Sequence, residues 1–222
     1  MKQYCPFCFN VRDDVGLTLY DSTGQRKYLN RKERLRYYFA AQALKDKSQR
    51  AFCLTLYHTG CRMSEILNLT PNQIDLPECK IVIITLKQRD KTRLRAIPVK
   101  PELIRLLKSL IELMDINPEQ RIWPFSRTTG WRLVKQLMEK AKLDGVKATA
   151  KGLRHTFGVE CVMRGVDVTN VQRWMGHASL KTTKIYLGVS GEEERRLISR
   201  IWHTDVLYLQ YYIAIFHRMF KN

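Results

Sequence analysis

The sequence predicts a mainly α-helical fold with one small antiparallel β-sheet. From Asn30 onward, apolar residues recur with helical spacing through most of the chain. Segment 80–86 is instead rich in Ile and Val, as strands are, and segment 94–99 follows it as the natural partner strand. Pro98 marks the second strand as an edge strand or as its end.

The helix boundaries follow from capping residues. Asn30 can cap a first helix, with Glu33 three residues later in a capping box, and that helix should run to about Lys45. Ser48 begins a second helix that Gly60 ends, and a short helix follows at 63–69. A Thr-Pro pair at 70–71 indicates a further turn. The remaining helices are expected at 101–115, 127–142, 152–164, 168–175, 179–187, 191–202 and 205–218.

The charge balance indicates a polyanionic partner. The chain has 39 Lys and Arg against 21 Asp and Glu, a formal net charge of +18. In a compact protein so many positive charges repel one another, and a polyanionic partner would relieve that repulsion. Nucleic acid is the first candidate for this partner and an anionic membrane surface the second. The longest apolar stretch, 206–220, is shorter than the ~20 residues that cross a bilayer, so we expect no membrane partner. A ribosomal-type or merely soluble basic protein is the alternative.

Cysteine spacing predicts neither a metal site nor disulfides. Only Cys5 and Cys8 have CxxC spacing, and no second pair completes a zinc site. Cys53, Cys61 and Cys161 lie in apolar helical stretches, where a free cysteine is a small buried side chain. We therefore expect a reducing compartment, the cytoplasm.

The first segment whose side chains could take part in a reaction is His-Thr-Gly-Cys-Arg-Met-Ser-Glu, residues 58–65. Gly60 ends one helix and Arg62 begins the next, so the arginine can face an anion beside free helix-terminal N–H groups. Glu65, one turn later, can hold the guanidinium group in place.

The second segment is the basic tip of the β-hairpin. It carries Lys87, Arg89, Lys91, Arg93 and Arg95. A basic hairpin of this kind can reach into a DNA groove. The predicted DNA contacts are Arg89, Lys91, Arg93 and Arg95.

The third segment is Lys-Gly-Leu-Arg-His-Thr-Phe, residues 151–157. Lys151 and Arg154 are three residues apart and share a helix face. His155 turns away from the face of Arg154, so a structural role is predicted for it.

The fourth segment runs from Trp174 to Tyr186. Gly176 ends one helix and Ser179 caps the next. This arrangement brings His177 and Tyr186 to the same side of the chain.

Together the segments resemble the signature of the tyrosine recombinases, the phage integrase family. Residues 59–65 resemble the first arginine box, and residues 151–157 resemble the HxLRHTF box. Met-Gly-His at 175–177, followed nine residues later by Tyr186, resembles the LGH…Y box. The order, the spacing and the intervening sheet fit over about residues 28–200. The resemblance implies the fold of the tyrosine recombinase catalytic domain, a DNA breaking-rejoining enzyme.

The resemblance also implies a role for each residue. Tyr186 would attack the scissile phosphorus, forming a 3′-phosphotyrosine and releasing a 5′-hydroxyl. Arg62 and Arg154 would hold the non-bridging oxygens, Lys87 would protonate the leaving oxygen, and His177 would donate a hydrogen bond to the phosphate. No metal, nucleotide or other cofactor is needed.

Two positions leave the assignment of proton transfer open. The family's histidine in the second box is Lys151 here. A protonated lysine cannot accept the tyrosine proton, so Lys151 either contacts phosphate or acts as a base with a pKa lowered by nearby arginines. In the hairpin, Lys91 is a rival of Lys87.

The resemblance further implies a domain organisation and partners. We expect a short extension at 1–27 in place of the family's helical clamping domain, a catalytic domain at 28–202, and a C-terminal helix at 203–222 that docks on a neighbouring protomer. The partners would be double-stranded DNA, other copies in a tetrameric synapse, and an accessory DNA-bending or clamp protein.

The predicted function is site-specific recombination or integration of mobile DNA. A catalytically reduced DNA-binding regulator, or a partner of a full-length recombinase, is the alternative, favoured by Lys151 and the short extension. The presence of Arg62, Arg154, His177 and Tyr186 opposes it. A basic architectural protein without chemistry is a third hypothesis.

Overall fold

The computed structural model describes residues 18–87, 91–189 and 193–199, and of residues 86, 87, 91 and 92 the backbone alone. The helices are α1 (Arg31–Gln42), α2 (Lys47–Thr59), α3 (Met63–Leu67), α4 (Pro101–Leu113), α5 (Arg127–Lys140), α6 (Ala150–Met163), α7 (Val168–Met175) and α8 (Leu180–Lys184). The strands are β1 (Ile74–Asp75), β2 (Lys80–Lys87) and β3 (Lys91–Pro98). Residues 193–199 are also helical. The predicted fold class is therefore confirmed.

The three strands form one antiparallel sheet in the order β1-β2-β3. Ile81 pairs with Ile97, and Ile83 pairs with Arg95. All four side chains are buried, which places one face of the sheet against the helices. β1 was not predicted, because a strand of two residues carries no periodic signal.

The predicted helix starts are mostly observed within a few residues. The Asn30 side chain accepts from the backbone N–H of Glu33, and the Glu33 carboxylate accepts from that of Asn30, so the capping box is confirmed. α1 ends at Gln42, before the predicted Lys45. α2 ends at Thr59, and Gly60 caps it with a φ of 59°, the left-handed conformation that glycine adopts without strain.

The predicted helix 179–187 divides into two elements. α8 ends at Lys184, and a 3₁₀ turn, Ile185–Leu187, continues it. Ser179 accepts a hydrogen bond at the start of α8, as its predicted role as N-cap requires. The tighter turn carries Tyr186, so its direction differs from that in a continuous α-helix.

α2 is the central helix and packs against α1, α4 and α6. Its side chains Phe52 and Leu56 are fully buried in the larger of two apolar clusters. Phe52 also meets Trp123 edge to face, and the Trp123 indole donates to the carbonyl of Ser48 at 3.0 Å. The smaller cluster contains Tyr186. The site residues therefore attach to a tightly packed frame.

The cysteines and the chain termini were also the subject of predictions. Cys53, Cys61 and Cys161 are buried free thiols, as predicted. The CxxC pair and the predicted helix 203–222 lie outside the described residues, as does most of the extension 1–27. Across the described ranges, none of the helices combines the length and apolar character needed to span a membrane.

Candidate active site

The turn after α2 presents Arg62. Gly60 reverses the chain, and Arg62 becomes the residue that precedes α3. Its guanidinium Nη1 donates to Oε1 of Glu65 at 3.0 Å, and its backbone N–H donates to Oε2 of Glu65 at 2.8 Å. The side chain is nonetheless 46% exposed. Glu65 therefore holds the arginine from one side while the other side faces solvent.

Arg95 is a buried structural residue, which corrects its prediction as a DNA contact. Its Nη2 donates to Oε2 of Glu65 at 2.7 Å, and its Nε donates to the carbonyl of Trp174 at 2.8 Å. A further hydrogen bond joins it to Thr85. The prediction failed because Arg95 alternates with exposed neighbours along β3 and points into the protein, where Glu65 compensates its charge.

Glu65 thus contacts two arginines from different elements. Burial by itself would raise the pKa of this carboxyl, but hydrogen bonds from Arg95 and from the backbone of Arg62 outweigh it, so the pKa is lowered. The ionised carboxylate connects the sheet to the start of α3.

Arg154 joins two turns of the chain from inside the protein. From α6, its Nη1 donates to the carbonyl of Gly60 at 2.8 Å and its Nη2 to that of Met175 at 2.5 Å. Burial lowers its pKa, and Arg62 nearby lowers it further. An arginine keeps its charge at neutral pH despite such a shift, so the site holds two fixed cations.

His177 lies directly after the end of α7. Gly176 has a φ of 63°, and a Cβ at that position would lie 2.9 Å from Nη1 of Arg95. Nδ1 of His177 lies 2.9 Å from the hydroxyl of Thr183 in α8. Burial, followed by Arg154 and Arg62, lowers the pKa of His177 to about 4, so the ring is neutral at neutral pH.

Tyr186 packs with its ring parallel to that of His177. The ring centroids are 6.2 Å apart and the planes differ by 16°. The tyrosine is only 1% exposed, and its ring lies against Gly158 of α6. Burial raises the pKa of Tyr186 to about 12, although Arg154 and Arg62 oppose this effect.

His155 also lines the cavity beside Tyr186, a contact that was not predicted. Its Nδ1 lies 3.4 Å from the hydroxyl of Tyr186. A structural role was predicted for His155 because its side chain points away from the helix face that carries Arg154. Lys151 is four residues earlier on α6, and this spacing would have placed His155 on the face that carries Lys151.

One cavity of about 710 Å³ brings these residues together. Arg62, Lys151, Arg154, His177 and Tyr186 all line it. The lining also includes Lys27, Arg127 and Trp131, which were not predicted because they lie outside the recognised segments, and His155, which lies within the third segment.

The basic residues of the β2–β3 hairpin were predicted to contact DNA or to act as the acid. Arg93 is exposed on β3, a position open to a DNA contact. Lys87 and Lys91 are paired at the ends of β2 and β3, but their side chains lie outside the described residues, as does Arg89. The choice between Lys87 and Lys91 therefore stays a prediction.

Comparison with known proteins identifies the family. Residues 27–193, three quarters of the chain, match the model of the phage integrase family. The chain belongs to the phage integrase family. The matched range includes the three recognised segments that carry Arg62, Arg154, His177 and Tyr186.

Members of the phage integrase family with similar sequences are tyrosine recombinases. The XerA protein of Pyrococcus furiosus is 31% identical over 169 residues, which cover 70% of this chain and 56% of that protein. The XerD protein of Yersinia pestis is 28% identical, covering 69% of this chain and 53% of that protein. The chain thus spans about half the length of these relatives.

Solved structures of the family share the fold. The crystal structure of XerA recombinase superposes with a TM-score of 0.68 at 27% identity, over 78% of this chain and 64% of that one. A pre-cleavage complex of XerH recombinase with its difH substrate superposes with a TM-score of 0.64 at 21% identity, over 82% and 59%. The second likeness concerns the fold alone.

Proposed function

We propose that this chain is a site-specific DNA recombinase that cuts and rejoins strands through a covalent bond between phosphate and Tyr186. One observation carries the proposal: Arg62, Arg154, His177 and Tyr186, from four separate elements, line a single cavity. A phosphodiester is an anion, and this cavity offers two guanidinium groups beside a phenol hydroxyl.

The proposed reaction is transfer of a phosphoryl group to a tyrosine. The Tyr186 oxygen attacks phosphorus, the bond to the 5′-oxygen of the next nucleotide breaks, and a 3′-phosphotyrosine remains. A 5′-hydroxyl from another strand then reverses the reaction. The phosphotyrosine conserves the energy of the broken linkage, so the proposal requires no cofactor.

The two arginines would stabilise the charge that develops on the phosphate oxygens. Arginine suits this role because its planar fork can bind two oxygens at once. Arg154 is fixed by two carbonyls and Arg62 by one carboxylate, so neither has to be reorganised when phosphate arrives. Lys87 is proposed to protonate the leaving oxygen, and Lys151 to contact phosphate.

Double-stranded DNA is the proposed partner, supported by a net charge of +18. Structurally similar proteins were solved with DNA, including XerH with its difH substrate and the Tn1549 transposon integrase with transposon right end DNA. We further propose a tetrameric synapse, an accessory DNA-bending or clamp protein, and a cytoplasmic location.

Covalent capture tests the proposal. The protein is incubated with a pool of nicked DNA duplexes of randomised sequence, in which cleavage releases a short fragment and traps the intermediate. Wild-type protein should form adducts that survive denaturant, and sequencing of the trapped DNA would give the target site. Tyr186→Phe should form none, whereas Tyr57→Phe, at a tyrosine outside the cavity, should retain them.

Other results would contradict the proposal. Adducts that persist in Tyr186→Phe would show that another residue attacks. DNA binding that disappears at high salt, without any adduct from the wild-type protein, would favour the catalytically reduced DNA-binding regulator instead.

A further inference from the structure

The hydroxyl of Tyr186 has a single hydrogen-bonding neighbour among the residues that the structure describes. This neighbour is Nδ1 of His155, at 3.4 Å. The two rings are tilted by 58°, with centroids 6.0 Å apart. The distance is long for a hydrogen bond, but contacts of this kind commonly shorten when substrate binds.

The other nearby candidates are poorly suited to accept the tyrosine proton. Nδ1 of His177 already contacts the Thr183 hydroxyl at 2.9 Å, and the His177 ring lies nearly parallel to that of Tyr186. Lys151 is exposed to solvent, and none of the hydrogen bonds among the described residues joins it to the hydroxyl of Tyr186.

We propose that His155 accepts the proton of Tyr186 during DNA cleavage and returns it during rejoining, an inference that rests on the proposed function. The O–H bond of Tyr186 breaks as its oxygen forms the bond to phosphorus, and the proton moves to Nδ1. The electron pair of the broken P–O bond leaves with the 5′-oxygen, which takes a proton from the group that serves as acid. Rejoining reverses each step.

The surroundings keep the imidazole neutral and able to accept. Burial lowers the pKa of His155 to about 4, and the charges of Lys151, Arg154 and Lys27 lower it further. Nδ1 can accept only when the single ring hydrogen is on Nε2. Nε2 is buried, and no described residue bonds to it. The titratable and charged groups that face the ring are Lys151, Arg154, Lys27, His177 and Tyr186.

A weak base is sufficient here because the proton is transferred while the phosphorus bond forms. The phenol oxygen loses its affinity for the proton as it becomes an ester oxygen. The arriving phosphate also adds negative charge beside the cations, which stabilises the imidazolium form. In rejoining, an imidazolium of low pKa is a strong acid and protonates the leaving phenolate readily.

Chemical rescue separates this role from a structural one. The single-turnover rate of adduct formation is measured with trapped target DNA for wild type, His155→Ala and His155→Asn. We expect His155→Ala to be slower by roughly 100- to 10,000-fold, and added imidazole to restore part of the rate. His58→Asn is the matched control, because His58 is also a partly buried histidine with a pKa lowered to about 4 and lies outside the cavity. It should keep the wild-type rate.

The pH profile gives a second measurement that does not require His155→Ala to fold. Wild type should vary little between about pH 6 and pH 9, because His155 is already neutral there. In His155→Asn the phenol must ionise unaided, so the rate should rise about tenfold per pH unit.

Each outcome has a distinct meaning. An unchanged rate in both His155 variants would overturn the inference, and so would a slow rate that responds to neither imidazole nor pH. Failure of the wild-type protein to form any adduct would contradict the proposed function itself.

Discussion

Arg95 and Glu65 form an ion pair of 2.7 Å in which the two side chains are only 5% and 7% exposed. Glu65 also holds Arg62, whose side chain is 46% exposed. The same carboxylate therefore has one arginine partner inside the protein and one at the cavity. Removal of each partner should have a different effect.

Arg95→Met should destabilise the fold. Loss of Arg95 leaves a buried carboxylate with Arg62 as its remaining charged partner, and removal of one member of a buried pair commonly costs at least ~3 kcal/mol. The free energy of unfolding, measured in urea, should fall by about that amount. A change below about 1 kcal/mol would show that the pair contributes little.

Arg62→Ala should slow the reaction while leaving the stability of the fold nearly unchanged. Arg62 is half-exposed and Glu65 keeps its buried partner Arg95, so the free energy of unfolding should change by under about 1 kcal/mol. Loss of a fixed cation at the reacting phosphate should slow adduct formation about 100- to 1,000-fold. The comparison variant is Arg105→Ala, which removes an exposed arginine paired with Glu102 on α4. Equal rates in Arg62→Ala and wild type would remove Arg62 from the reaction.

The sequence predicted the elements better than the side-chain directions. The capping box at Asn30 and the turn at Gly60 are local patterns, so they could be recognised without knowledge of the fold. Arg95 was placed incorrectly because its burial depends on Glu65, which is 30 residues away in sequence. Likewise, the contact between His155 and Tyr186 depends on how a 3₁₀ turn packs on α6, and no local pattern predicts that packing.

Three histidines should make the fold sensitive to mild acid. Burial lowers the pKa values of His58, His155 and His177 to about 4, from an ordinary value of 6.5. The folded protein therefore binds fewer protons than the unfolded chain between these values. The resulting stability is fully present above about pH 6.5 and is lost as the pH falls toward 4.

His58→Asn tests this dependence outside the cavity. The free energy of unfolding is measured from pH 7 down to about pH 5, above the range in which carboxylates titrate. The slope against pH gives the number of protons taken up on unfolding, and the variant should take up fewer than wild type. An identical slope would contradict the lowered pKa of His58.

Arg93 should contribute to DNA binding through charge. It is exposed on β3 beside the hairpin tip, unlike the buried Arg95. If it contacts one phosphate, Arg93→Gln should reduce the slope of log affinity against log salt by about one. Arg105→Gln, which removes the same charge from α4, should leave the slope unchanged. Equal slopes in all three proteins would place Arg93 outside the interface.

Gly158 should be required for the position of Tyr186. A Cβ added at residue 158 would lie 2.5 Å from Cζ of the tyrosine ring, closer than atoms can approach. Gly158→Ala should therefore displace the ring from His155 and His177 and reduce adduct formation, and the overpacking should cost about 1–3 kcal/mol of stability. Gly130→Ala is the matched helical control, because its nearest contact would be 3.2 Å from Phe52 and the helix-propensity gain is the same. Wild-type adduct yield and stability in Gly158→Ala would mean that Tyr186 does not need the described position to react, and the contact with His155 would then lose its proposed role.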